Sequence, residues 1–145
     1  MRIPWGILLL FGGGNAIALA FDASGLSAAL GGAMSGLATL PPLGLFAGMS
    51  LAVTFLSEFT SNTALAALLM PVLATAASGA NMDPRLLMVP ATLAASYAFM
   101  MPAGTAPNAI IFGTERITVK RMMAEGLALN LIGDVVITVV CLAVL

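Results

Sequence analysis

Two short polar segments interrupt long apolar stretches of this chain. Residues 57–63 read Ser-Glu-Phe-Thr-Ser-Asn-Thr, and residues 101–108 read Met-Pro-Ala-Gly-Thr-Ala-Pro-Asn. Their hydroxyl and amide N–H groups can donate hydrogen bonds to an anion, and their hydroxyl and carbonyl oxygens can serve as ligands of a hard cation such as Na⁺. Unpaired polar groups are costly inside a membrane, so apolar helices break where something binds or where protein covers the break. Both segments are therefore candidate binding segments.

The composition places the chain among the integral membrane proteins. Of its 145 residues, 61% are hydrophobic and 8% are charged, whereas an ordinary soluble domain is roughly 25% charged. A soluble domain of this size has too little interior to bury so much apolar surface. The net charge of −1 gives no support to nucleic-acid binding. The absence of His and the single Cys141 argue against a disulfide and a His/Cys metal centre.

The apolar segments predict an all-α fold. We expect a transmembrane helix over residues 3–21, interfacial helices over 22–40 and a last transmembrane helix over 122–145. Between them lie two regions that are too long for one simple helix each, residues 41–82 and residues 84–114. These two regions contain the polar breaks.

Residues 41–82 contain a single charge, Glu58, and are about twice as long as one membrane crossing requires. They predict either two full helices joined by a tight turn or a re-entrant hairpin with its tip at 60–63. Ser61 or Asn62 can serve as the N-cap of the second arm, because both residue types support caps and turns. The positive end of that helix at the tip would suit an anion.

Residues 84–114 predict a transmembrane helix that is broken in the middle. Pro102 and Pro107 bracket Gly104, which indicates an unwound stretch over 102–108 followed by a short second helix. Asn108 is expected to cap that second helix and to hold the shape of the loop. Carbonyls of unwound backbone are suitable ligands for Na⁺. Two interrupted apolar segments are the sequence feature that most directly indicates a transporter binding site.

Four motifs in this order resemble the divalent anion/sodium symporter family, which carries dicarboxylates, citrate or sulfate. They are the Trp-x-x-Leu-Leu-Leu-Phe-Gly-Gly-Gly start at 5–14, Ser-Glu-Phe-Thr-Ser-Asn-Thr-Ala at 57–64, the stretch from Val-Pro-Ala-Thr to Ala-Ser-Tyr-Ala-Phe-Met at 89–100, and Pro-x-Gly-Thr-x-Pro-Asn-Ala-Ile at 102–110. The resemblance covers nearly the whole chain. It implies a multi-pass protein of the bacterial inner membrane that moves its substrate without chemical change, and therefore not an enzyme.

The family is built from two inverted repeats, and this chain resembles only the second. The resemblance thus implies half of a binding site, completed by an N-terminal repeat or another copy of the chain, and a homodimer in the full-length form. It implies Na⁺ as coupling ion and no other cofactor. The absence of a first repeat in this chain is its largest departure from the family.

The resemblance also implies the roles of individual residues. It places Asn62, Thr63 and Thr105, with Ser61 of the same motif, at a carboxylate of the substrate. Na⁺ would be held by the Ser57 hydroxyl, the Asn62 side-chain oxygen and the carbonyls of Thr60 and Gly104. Pro102, Pro107 and Asn108 would support the loop. Neutral donors suit a carrier because they bind an anion without a fixed charge that would oppose its release.

The sequence allows two roles for each of the acidic residues Glu58 and Asp134. Glu58 either tunes the local field or bonds a neighbouring helix. Asp134 lies inside the last predicted helix, one turn after Asn130 on the same face. A carboxylate inside a membrane suggests a functional site, but the resemblance assigns that helix no binding role, which favours a polar contact or a water-facing position.

Three functions remain open from the sequence. The first is sodium-coupled uptake of a dicarboxylate, citrate or sulfate. The second is a truncated, non-transporting membrane fragment or interaction subunit, which the missing repeat favours. The third is a channel-like homo-oligomer of antiparallel copies, against which the positive charges argue, because Arg2 and the basic residues of 116–121 favour a single orientation.

Overall fold

A computed structural model of the chain describes residues 39–102 and 104–145, together with positions 12, 13, 16, 19, 20, 23–26 and 29. Its five main helices are α1 (Pro42–Ser57), α2 (Asn62–Gly79), α3 (Arg85–Ala94), α4 (Ala106–Gly113) and α5 (Val119–Val144). The described residues contain no strand, as the all-α prediction requires. The helices predicted over 3–21 and 22–40 lie outside the described residues, apart from the positions just named and residues 39–40.

The helices begin where the sequence provides a start signal. Pro42 occupies the first position of α1, where its missing N–H costs nothing. At α5 the Thr118 hydroxyl accepts a hydrogen bond from the Arg121 N–H at 3.4 Å. The helix therefore starts at Val119, three residues before the predicted 122, because the cap precedes the basic turn.

Helix lengths divide the elements into two groups. Among the described residues, α2 and α5 are long and apolar enough to cross a membrane. The 16 residues of α1 span about 24 Å, and the 10 and 8 residues of α3 and α4 span about 15 and 12 Å. The hydrocarbon core of a bilayer is about 30 Å thick. Neither α3 nor α4 is long enough to cross it alone.

The interruption between α3 and α4 is longer than predicted and starts earlier. The sequence predicted unwinding over 102–108, whereas the helix ends at Ala94 and resumes at Ala106. Residues 99–101 do not continue the helix, because their amides donate to side chains of other elements instead of to backbone carbonyls. Pro107 lies in the first turn of α4, where a proline is readily accommodated.

Helix α3 lies at the centre of the described bundle. It packs against α1, α2 and α5, whereas α1 and α2 touch each other little and α1 packs mainly on α3 and α5. Alanines on α3 let its neighbours approach closely. Helices α1, α2, α3 and α5 contribute side chains to the core, which includes Phe46, Leu73, Leu87, Ala91, Ala94 and Ile137. Across from this core, α5 exposes a continuous apolar surface suited to lipid or to further protein.

Two glycines of α5 make room for the unwound segment. A Cβ at Gly126 would lie 2.3 Å from the Phe99 carbonyl oxygen, and one at Gly133 would lie 2.2 Å from Cε1 of Tyr97. Such distances are shorter than any ordinary contact, so only glycine permits this approach. Helix α5 therefore provides the surface against which residues 97–100 pack.

Replacing Gly126 by alanine should destabilise the chain, because the obstacle is backbone that cannot rotate away. We expect the free energy of unfolding to fall by about 1–3 kcal/mol, measured by thermal or denaturant unfolding in detergent. Gly48→Ala in α1 is the matched control, since no atom of the described residues, apart from the backbone of its own helix, lies within 4 Å of its added Cβ. The control should be neutral or up to about 1 kcal/mol stabilising. Equal stability of Gly126→Ala and wild type would contradict this packing.

Candidate functional site

The first polar break is the connection between α1 and α2. Helix α1 ends at Ser57 and α2 begins at Asn62, with Ser61 in the N-cap position in an extended conformation (φ −65°, ψ 127°). The Ser61 side chain makes no capping hydrogen bond. The first amides of α2 thus lack a side-chain cap, and such a helix end is suited to an anion.

The polar side chains at this connection differ in their surroundings. The Asn62 Oδ1 atom is buried and has no hydrogen-bond partner among the described residues. Ser61 and Thr63 are exposed. Thr60 is also exposed, and its hydroxyl donates to the Leu56 carbonyl at 3.1 Å. Asn62 therefore offers a shielded oxygen with free lone pairs, whereas Ser61 and Thr63 offer accessible hydroxyls.

The second polar break is shaped by Asn108 and Thr105. The Asn108 side-chain amide donates to the carbonyls of Ala98 at 2.7 Å and Met101 at 3.0 Å. These two bonds hold Ala98 and Met101 of the unwound segment close to the first turn of α4. The cap of α4 is Thr105 rather than the predicted Asn108, because the Thr105 hydroxyl accepts from the Asn108 N–H at 3.3 Å. That hydroxyl keeps its own proton available for another acceptor.

Glu58 joins the two breaks. Its side chain is 3% exposed, and its carboxylate accepts hydrogen bonds from the backbone N–H groups of Met100 at 2.9 Å and Met101 at 2.8 Å. It also accepts from the Asn130 side-chain amide at 2.7 Å. Three N–H donors thus converge on one buried carboxylate, and hydrogen bonds to a charged group are among the stronger ones.

Asn130 extends this arrangement to α5. It is fully buried, and its Oδ1 accepts from the Phe99 N–H at 3.3 Å while its amide donates to Glu58. Three consecutive amides of the unwound segment, at residues 99–101, are therefore held by side chains of other elements. The Ser57 hydroxyl adds a contact to the Tyr97 carbonyl at 3.1 Å.

Gly104 completes the contact between the two breaks. It is buried, and a Cβ there would lie 3.2 Å from the Glu58 Oε2 atom and 3.2 Å from the Met101 carbonyl oxygen. A glycine lets the loop close over the carboxylate. Pro102, which cannot donate a hydrogen bond, lies half-buried directly after the three amides held by Glu58 and Asn130.

The structure brings some of the predicted site residues together and leaves others apart. Ser57, Gly104 and Asn108 lie in the cluster around Glu58 and the unwound segment. No hydrogen bond joins Asn62, Thr63 or Thr105 to one another within the part of the chain that the structure describes. Of the two roles considered for Glu58, the structure shows the one in which it bonds a neighbouring helix.

Asn130 is the residue whose part in this cluster the sequence did not reveal. The sequence indicates only that Asn130 shares a helix face with Asp134. The available signal was a side-chain amide inside an otherwise apolar helix, where polar side chains are rare unless they have a partner. Nothing in the sequence identifies that partner as Glu58, which lies 72 positions away along the chain.

Comparison with known proteins identifies the family. The family model described as the sodium:sulfate symporter transmembrane region matches residues 1–144. The chain belongs to this symporter family. The resemblance drawn from the motifs is thereby confirmed, and with it the assignment to a family of membrane transporters.

Two curated relatives of this chain are bacterial. The sodium-dependent dicarboxylate transporter SdcS of Staphylococcus saprophyticus is 46% identical over 138 residues, which make up 95% of this chain and 27% of that transporter. The transporter of the same name from Staphylococcus aureus USA300 is 43% identical over 139 residues, 96% of this chain and 27% of the relative. The chain therefore spans about a quarter of the length of these relatives. Both are named as transporters and not as enzymes, in agreement with the prediction.

Replacing Glu58 by glutamine should destabilise the chain. A carboxamide has one acceptor oxygen and an NH₂ group, so one of the three converging donors would face another donor. We expect a loss of about 2 kcal/mol in the free energy of unfolding, measured in detergent. The control is Glu125→Gln, an exposed residue that pairs loosely with Arg121 at 3.9 Å and should change stability by less than about 0.5 kcal/mol. Equal losses in the two variants would contradict a specific role for Glu58.

Proposed function

We propose that this chain contributes one part of the binding site of a sodium-coupled symporter for divalent organic anions, with a dicarboxylate such as succinate as substrate. The observation that carries the proposal is the Glu58 cluster, which fastens the connection before α2 to the unwound segment before α4. The hydrogen bonds of Glu58 thus link the connection that precedes the N-terminus of α2 to the segment that precedes the N-terminus of α4. The names of the relatives favour a dicarboxylate, and sulfate and citrate are the alternatives within the family.

In the proposed site the anion meets the N-terminal ends of α2 and α4. Ser61, Asn62 and Thr63 donate from the first end, and Thr105 donates from the second. Support comes from the uncapped start of α2 and from the Thr105 hydroxyl, which accepts one bond and retains its proton. Helix N-termini attract anions through their free amides and the helix dipole.

The proposed sodium ion is held by the Ser57 hydroxyl, the Asn62 side-chain oxygen and the carbonyls of Thr60 and Gly104. The buried, unpartnered Asn62 Oδ1 supports this role, because a cation would satisfy it. The Ser57 hydroxyl points its proton at backbone carbonyls and so keeps oxygen lone pairs for a cation. The Glu58 carboxylate contributes negative charge nearby.

Coupling follows from the shared parts of the two sites. Asn62 contributes to both, so a cation that orders the start of α2 also prepares the anion site. By linkage the anion then raises the affinity for Na⁺ by the same factor. We infer that α1 and α2 form a re-entrant hairpin, which the short span of α1 supports, and that α3 and α4 form one broken transmembrane helix.

A complete carrier requires more than this chain. We infer that an N-terminal inverted repeat, or another copy of the chain, supplies the rest of the site in a homodimeric, multi-pass protein of the bacterial inner membrane. The second candidate function is a non-transporting fragment or interaction subunit. Uptake measured with the chain alone and with the complete carrier decides between the two functions.

Uptake into proteoliposomes tests the proposed function. We expect the carrier that contains this chain to accumulate radiolabelled succinate when an inward Na⁺ gradient is imposed, and not with K⁺ in its place. Sulfate and citrate are tested in parallel. Uptake by the purified chain alone would indicate that its copies assemble a carrier. Failure of all three substrates in the complete carrier would contradict the proposal.

Alanine at Asn62 or Thr63 should abolish binding, because each change removes a donor from the start of α2. The expected result is loss of sodium-dependent succinate uptake in the complete carrier at unchanged membrane expression. Ser78→Ala is the control, since that exposed hydroxyl lies at the other end of α2 and, within the described part of the chain, donates to the Ala74 carbonyl alone. Wild-type uptake by both Asn62→Ala and Thr63→Ala would overturn the proposed anion site.

A further inference from the structure

One side chain of α5 forms hydrogen bonds with both interrupted regions of the chain. Asn130 is 0% exposed, and its Nδ2 atom donates to the Glu58 Oε1 atom at 2.7 Å. Its Oδ1 atom accepts from the Phe99 N–H at 3.3 Å. Glu58 begins the connection between α1 and α2, whereas Phe99 lies in the unwound segment between α3 and α4. Among the described residues, no other side chain of α5 bonds either region.

The two bonds of Asn130 belong to a ring that also contains Glu58. The Glu58 Oε1 atom accepts from the Met100 N–H at 2.9 Å as well, and Met100 follows Phe99 directly along the backbone. Glu58, Asn130 and the two consecutive amides therefore form a closed loop with three hydrogen bonds. A shift of the unwound segment relative to the connection would lengthen at least one of these bonds, and hydrogen bonds to a carboxylate are strong ones. The ring thus fixes the separation of the two regions.

The position of Asn130 in this ring requires a carboxamide. That group donates from its nitrogen and accepts at its oxygen, whereas a carboxylate accepts only and an alkyl group does neither. A buried polar side chain in an apolar helix is costly unless its hydrogen bonds are satisfied. The neighbouring contacts of Gly126 and Gly133 with the unwound segment are steric and carry no such direction. Asn130 is therefore the residue of α5 that fixes this segment by directional bonds.

Both ligand sets of the proposed function take members from the two regions that the ring joins. The proposed anion site combines residues 61–63 at the start of α2 with Thr105 before α4. The proposed sodium site combines residues 57–62 with Gly104. A Cβ at Gly104 would lie 3.2 Å from the Glu58 Oε2 atom, so the loop that carries this carbonyl lies directly beside the ring. The distances within both ligand sets therefore depend on the separation that the ring fixes.

We propose that Asn130 is a positioning residue of the transport site. It belongs to neither ligand set, and through Glu58 and Phe99 it holds the two regions at the separation at which the anion and Na⁺ bind. This inference rests on the proposed function. Removal of the Asn130 side chain should weaken the binding of both ligands, because each ligand bridges the two regions. The loss is partial, since the bonds from Met100 and Met101 to Glu58 remain.

The kinetics of sodium-dependent succinate uptake by the complete carrier test the positioning role. In Asn130→Leu we expect the KM for succinate and the Na⁺ concentration at half-maximal uptake each to rise about tenfold, in keeping with the loss of about two hydrogen bonds. Ile137→Ala is the matched control, because this 3% exposed side chain of the same helix packs in the apolar core. The control should lower the melting temperature and the amount of folded carrier but leave both constants unchanged.

Exchange of the two side-chain types gives a second signature. Asn130→Asp places a second carboxylate against Glu58, so both constants should rise further than in Asn130→Leu. Adding Glu58→Gln restores a donor and an acceptor with reversed polarity, since the carboxamide at position 58 then donates to the carboxylate at position 130. We expect the double variant to have a KM for succinate at least about tenfold below that of Asn130→Asp alone, a non-additive effect that indicates direct contact.

The outcomes distinguish the positioning role from the proposed function itself. Wild-type constants in Asn130→Leu, measured in a carrier that takes up succinate, would overturn the inference and leave the proposed function intact. A rise in one constant alone, or an equal rise of both in Ile137→Ala, would also overturn it. If Asn130→Leu does not fold, a double variant no better than Asn130→Asp overturns it. Absence of sodium-dependent uptake by the unaltered carrier would overturn the proposed function and this inference together.

Discussion

The arrangement of the described helices depends on one buried carboxylate. Glu58 directly follows α1, and its buried carboxylate accepts hydrogen bonds from the N–H groups of Met100, Met101 and Asn130. An unwound backbone segment inside a membrane protein requires partners for its amides, because neither lipid nor a continuing helix supplies them. Glu58 and Asn130 supply those partners, and the glycines of α5 leave the space in which the segment lies.

This constraint connects features that are far apart in the sequence. Because residues 99–101 are held from outside, α3 can stop at Ala94 and α4 can restart at Ala106 with Thr105 as its cap. The start of α2 follows Glu58 by four residues, so the same carboxylate fixes both polar breaks. The α1–α5 interface contains a second polar contact between Ser50 and Asp134, separate from the one between Glu58 and Asn130.

The sequence was sufficient for the class of fold, the family and the approximate places of both breaks. Composition and hydropathy determine these features, and local motifs such as Ser-Asn-Thr mark them. The limits of the unwound segment were not predictable, because proline positions indicate where a helix is weakened but not which amides find outside partners. The Glu58–Asn130 bond has a separation of 72 residues, and no local pattern encodes it. Thr105 took the capping role assigned to Asn108, since both residue types are able to cap.

Hydrogen exchange at the amides of Met100 and Met101, measured on the full chain in nanodiscs, tests the central role of Glu58 most directly. These amides lie outside any helix, so only their bonds to the carboxylate protect them. We expect exchange at least about 100-fold slower than at Thr60 and Ser61, whose amides have no hydrogen-bond acceptor among the described residues, with that protection lost in Glu58→Ala. Exchange at Met100 and Met101 as fast as at Thr60 and Ser61 in the unaltered chain would contradict the central role of Glu58.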